Sequence, residues 1–136
     1  MRIRITKRVS AAIAAAVLIG VAASTTPAYA GTDIGWTEVN LPWPSRPEVG
    51  FNGAGEFESN GDLVTVCDGD ADGFGVSAWL VDSEGYSLAP SVHVGGKGKC
   101  VTRTRNLREG TAVKLLVCLT KGSHGEPCKT SRLGAA

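Results

Sequence analysis

The chain has 136 residues, with fourteen Lys and Arg, thirteen Asp and Glu, four cysteines and eighteen glycines. That length accommodates one modest domain and excludes a multidomain enzyme. Residues 1–30 read as an export signal. The 106 residues after it keep all thirteen acids but only ten of the bases, a net charge near −3 that excludes a strongly basic nucleic-acid binder.

Arg2, Arg4, Lys7 and Arg8 form a positive n-region, Ala11 to Ala23 an uncharged, largely apolar run, and Ala28-Tyr29-Ala30 the small-residue site that a signal peptidase requires. The run of thirteen residues would span about 20 Å as a helix, short of the ~30 Å hydrocarbon core, which argues for a cleaved signal over a retained anchor. No cysteine lies near the cleavage site to carry a lipid. The expected product is exported, soluble, monomeric and free of the membrane.

Residues 31–50 differ in texture from the remainder of the chain. Pro42, Pro44 and Pro47 fall within six residues, interleaved with Trp43 and Arg46 and preceded by Trp36. Proline fixes φ and removes a donor, so the stretch is expected to form an extended arm in front of a β domain at 51–136. Trp36 and Trp43 are candidate partner-binding residues. The plainer alternative, which we favour, is that these indoles fold back and cover the domain.

From Phe51 onward the pattern is one of short strands. Leu63-Val64-Thr65-Val66-Cys67 is β-branched, and Val76, Ala78 and Leu80 alternate with Ser77, Trp79 and Val81. Ser91-Val92-His93-Val94 sets His93 opposite the valines. Along Cys100 to Thr104 the cysteine and threonines share a face, with Arg103 and Arg105 on the other. Val113, Leu115, Val117 and Leu119 make the longest period-two run. Glycine-bearing breaks separate these runs and no persuasive helical period appears, so the expected fold is an all-β, small antiparallel sandwich, immunoglobulin-like or similar.

Cys67, Cys100, Cys118 and Cys128 lie after the signal, and an even number outside the cytosol reads as two disulfides. Their gaps of 33, 18 and 10 residues do not suit zinc. The short glycine-containing segment Leu119 to Pro127 favours Cys118–Cys128, leaving Cys67–Cys100. In the chain-entropy model these closures contribute roughly 2.7 and 3.7 kcal/mol.

Val66-Cys67-Asp68 with Ala71-Asp72-Gly73, Gly98-Lys99-Cys100, and Glu109-Gly110-Thr111-Ala112-Val113 leading to Cys118 and then Cys128 resemble small secreted two-disulfide β-proteins of actinobacteria, over roughly Glu56 to Cys128. The resemblance implies export, two disulfides and a β fold, and carries over no catalytic residue.

Chemistry-bearing motifs are sparse. The bases available to a catalytic triad are His93, in a strand, and His124, in the segment between Cys118 and Cys128. No G-x-S-x-G elbow or H-E-x-x-H is present. Asp68, Asp70 and Asp72 open like an EF-hand loop, but position twelve is Trp79, so a turn with solvated acids is the favoured reading and no metal or cofactor is expected. Charge is split along the chain: Asp33 to Glu84 carries eleven acids and one base, and Gly85 to Arg132 nine bases and two acids. Cross-strand ion pairs are the favoured explanation. The alternative is a bipolar surface presenting Arg103, Arg105 and Arg108 to an anionic partner.

These features point to a non-catalytic binding protein acting outside the cell on another secreted protein or a cell-envelope polymer. Alternatives are a protease inhibitor using the Cys118–Cys128 loop and a small secreted hydrolase. Mass spectrometry of the exported protein is expected to place its first residue at Gly31; a start displaced by more than a few residues would refute the net charge near −3.

Overall fold

The computed structural model describes residues 31–42, 44–45 and 50–136. The expected signal peptide, together with Trp43, Arg46 and Pro47, lies outside them. Among the described residues the fold is all-β, built from β1 (Ile34–Val39), β2 (Gly53–Glu58), β3 (Leu63–Asp68), β4 (Gly75–Val81), β5 (Val92–Gly95), β6 (Lys99–Thr104), β7 (Ala112–Lys121), β8 (His124–Thr130) and β9 (Gly134–Ala135). One antiparallel sheet has the order β1-β2-β3-β6 and the other β5-β4-β7-β8, with β9 also paired to β7.

The alternating runs determine which face of each strand is buried. On β7, Val113, Leu115, Val117 and Leu119 are all 0% exposed, and on β4 Val76, Ala78 and Leu80 turn the same way. They meet Ile34, Phe57, Val64 and Val66 of the first sheet in one apolar cluster, making a two-layer sandwich. The two sheets approach closely at β2. A β-carbon at Gly53 would lie 2.7 Å from Val76 Cγ2 and 2.9 Å from Leu119 Cδ2, and one at Gly55 3.0 Å from Val117 Cγ2. Glycine at these inward positions makes room for the branched side chains opposite. Gly53-Ala54-Gly55 forms the first half of β2.

Both expected disulfides form, Cys67–Cys100 and Cys118–Cys128. Each joins residues directly opposite in an antiparallel pair, with Cα atoms 4.1 and 4.0 Å apart, as in non-hydrogen-bonded pairs. Both lie on the outer faces of their sheets. Two disulfides imply folding in an oxidising environment. Among the described residues no helix is long and apolar enough to cross a membrane.

The expected arm at 31–50 is corrected in its first part. Ile34 and Val39 are 2% and 3% exposed, and that burial makes Ile34–Val39 a sheet-edge strand, with the prolines following it. The segment closed by Cys118–Cys128 is likewise not an open loop. Lys121 pairs with His124 across a two-residue turn, Gly122-Ser123, with Gly122 at φ +63°.

Buried polar groups tie the strand ends together. Asn52, 0% exposed, accepts from the Leu41 amide at 2.9 Å and donates Nδ2 to Asp72 Oδ2 at 2.7 Å. Asp68 Oδ2 accepts from Gly96 N at 2.7 Å, and Asp62 Oδ2 from Leu107 N at 2.6 Å, so a carboxylate at or beside each end of β3 holds a segment flanking β6. Gly53→Ala is expected to destabilise the fold by about 1–3 kcal/mol through overpacking, lowering Tm by about 4–8 °C per kcal/mol in thermal denaturation. Gly95→Ala, where nothing lies within 4 Å of the new carbon, is expected to leave Tm unchanged or slightly raised.

Candidate functional site

β1 and β8 end their respective sheets on the same side of the sandwich, and among the described residues each has one backbone edge without a strand partner. A groove runs between them. One part, about 600 Å³, is lined by Ile34 to Glu38 and by Lys129 to Arg132; it continues into a second part of about 490 Å³ that reaches Leu41, Pro42 and Pro127. A β-bulge lies within the groove-lining part of β1. Ile34 pairs with Phe57 and Thr37 with Gly55, so Gly35 and Trp36 together oppose Glu56 alone. The extra residue carries Trp36 outward and leaves it 50% exposed. The expectation that this indole covers the domain is therefore corrected. Tryptophan on an exposed groove wall offers large contact area at low conformational cost.

The other expected partner-binding residues are dispersed. Arg103 and Arg108 are exposed along and beyond β6. Arg105 is engaged, with its guanidinium donating to the Ser91 carbonyl at 3.0 Å and its backbone amide to Asp62 O at 2.9 Å. The three arginines do not form a single free patch.

Asp68, Asp70 and Asp72 are occupied by turn chemistry. Asp68, 2% exposed, holds the Gly96 amide; Asp70 accepts from Ala71 N at 2.9 Å and lies 3.7 Å from Lys97 Nζ; Asp72 accepts from Phe74 N at 2.8 Å and from Asn52. The three carboxylates serve separate donors and share no common centre.

The expected acid–base cross-strand pairing is not what balances the split charge. β3, whose one acid is Asp68, does lie beside the basic strand β6, with Asp68 opposite Lys99. Among the described residues, however, the ion pair that forms is Lys97–Asp70, and the acids hold mainly amides. Asp33 takes Ser59 N and Oγ, which holds its carboxyl below the usual range. Asp82 takes the amides of Glu84 and Tyr86.

The structure also joins residues that sequence reading kept apart. Ser77 Oγ and His93 Nδ1 share a hydrogen bond of 2.9 Å across β4 and β5. The pair resembles part of a catalytic triad, but Ser77 is 6% exposed, and among the described residues no carboxylate is bonded to His93. The period-two pattern of β4 places Ser77 and Trp79 together on its outer face; their neighbours on β5 and β7 required the sheet order. No protein-family model matches the chain, no curated protein is similar to it, and no solved structure matches it.

On the outer face of the first sheet, partial burial raises the Glu56 carboxyl above its usual range, with further contributions from the charges of Glu58 and Asp33. A raised folded-state pKa means that ionising Glu56 costs folding free energy, so its contribution to stability declines as pH rises through that pKa. Glu56→Gln is expected to raise Tm at neutral pH, with the difference shrinking as pH falls below the carboxylate range; an unchanged difference across the series would refute the assignment.

Proposed function

We propose that this protein acts outside the cell as a non-catalytic binding protein, and that the groove between β1 and β8 is its recognition surface for an extended, acidic segment of a partner protein. The observation that carries this reading is Trp36, turned out by the β-bulge onto the wall of a groove bounded by two unpaired strand edges. An unpaired edge supplies backbone donors and acceptors in the spacing an incoming strand needs. The indole supplies an anchor of the kind that dominates interface energetics. Among the described residues, Lys129 and Arg132 line the same groove with one acid, Glu38, which favours an anionic occupant. Pro127 at the edge of β8 discourages open-ended pairing with further strands. Burial of Ser77 against His93 supports binding over nucleophilic chemistry.

Titration of the exported protein with a ten-residue peptide of alternating Glu and Val tests this reading. Backbone amide shifts confined to residues 34–41 and 128–132 are expected. Trp36→Ala is expected to weaken binding by about thirtyfold or more, equivalent to ~2 kcal/mol or more, and charge reversal at Lys129 and Arg132 by about tenfold. Absent shifts, or affinity indifferent to all three substitutions, would overturn it.

A further inference from the structure

The outer face of the second sheet carries another surface, independent of the Trp36 groove. Strand pairing sets its side chains in rows. Ser77 lies opposite His93 on one side and Cys118 on the other, and Cys118 lies opposite Cys128. The next row is Gly95, Gly75, Thr120 and Gly125. Glycine holds three of the four positions, and the His93 ring lies over Gly75, where a β-carbon would meet its Cε1 at 2.7 Å. Trp79, two residues along β4 from Ser77 and opposite Leu116, stands on the same face.

Two shallow cavities, about 590 and 360 Å³, meet here and share His93, Thr120 and Gly122 in their walls. The smaller is lined by Trp79, Ser77, His93, Thr120, Ser123 and His124 with two glycines, and among the described residues it contains no carboxylate, ammonium or guanidinium. Both histidines of the chain, 31 residues apart in sequence, therefore line one pocket. In the larger cavity the charges are already engaged: Lys97 lies 3.7 Å from Asp70, and Lys121 Nζ lies 5.5 Å from the centre of the Phe74 ring.

The polar groups of this face have capacity to spare. Ser77 engages His93 Nδ1, leaving Nε2 without a partner among the described residues. The Thr120 hydroxyl is buried and likewise unpartnered. A purely apolar ligand would leave such groups unpaired, at a cost of the desolvation of each. Among the described residues of the smaller pocket a polycation would find no carboxylate, and a polyanion no ammonium or guanidinium. An indole beside uncharged groups that both give and accept hydrogen bonds suits a ligand with an apolar ring face and many hydroxyls. The trough is open rather than enclosed, which suits a chain rather than a small isolated molecule.

We propose that this face binds a neutral glycan, with a sugar ring stacked on Trp79 and its hydroxyls bonded to His93, Ser123 and His124. The test is retention of the exported protein in native affinity gels containing cellulose derivatives, glycol chitin, β-1,3-glucan, xylan or mannan, with polygalacturonate as the anionic comparison. Retention by at least one neutral polysaccharide is expected, weakened at least tenfold by Trp79→Ala and severalfold by His124→Ala, and unaffected by Trp36→Ala. His124 is exposed beside the hairpin turn, so its variant keeps the comparison valid if Trp79→Ala folds poorly. Three results would overturn the proposal: no retention by any neutral polysaccharide, retention on polygalacturonate alone, or retention unchanged by His124→Ala and by His93→Gln. Because the peptide titration reads a different edge of the molecule, either surface can fail without the other.

Discussion

Burial of one apolar stripe governs this fold. Val113, Leu115, Val117 and Leu119 of β7 are fully removed from water, and β7 is the strand to which β4, β8 and β9 all pair. The stripe needs a facing layer, and β2 contributes to it with the buried Phe57 ring and two inward-facing glycines. Gly53 and Gly55 accept the branched side chains of β4 and β7 where a β-carbon would collide. Burial at about 25 cal/mol per Å² of apolar surface drives the two sheets together, and the glycines set how closely they approach.

The ends of the sandwich depend on a different interaction. Asp33, Asp62, Asp68, Asp72 and Asp82 each accept from at least one backbone amide, and Asn52 links the segment after β1 to the turn before β4. A carboxylate bonded to an amide is a charge-assisted hydrogen bond that also satisfies a backbone donor, which an ion pair with a long flexible lysine would not. Among the described residues no acid is ion-paired with Lys129 or Arg132 at the β1–β8 groove.

The two surfaces arise from the same architecture. One lies where the sheets end and backbone edges remain open. The other lies where glycines opposite one another remove side chains from a sheet's outer face. Local irregularity creates both: a bulge that turns out Trp36, and a row in which three of four positions are glycine.

Period-two alternation was enough to locate β3, β4, β5 and β7, because each turns alternate side chains into the core, and β6 alternates in residue type although only Val101 of it is half-buried. Cysteine spacing was enough to pair the disulfides, since the short segment between Cys118 and Cys128 selects one connectivity. β1, β2 and β8 escaped the pattern for physical reasons. Trp36 interrupts β1 by a bulge, β2 buries glycines that carry no hydrophobic signal, and β8 is a sheet-edge strand containing Pro127, with little need for a buried face. Composition and local pattern thus determined the fold class, the disulfides and the apolar stripe, all of which depend on side chains near one another in sequence or forced together by count. Which strands became neighbours was decided only in three dimensions, because pairing energy depends on the packing of both sheets at once. That order opened the groove beside Trp36, joined Ser77 to His93, and placed the two histidines in the wall of one pocket.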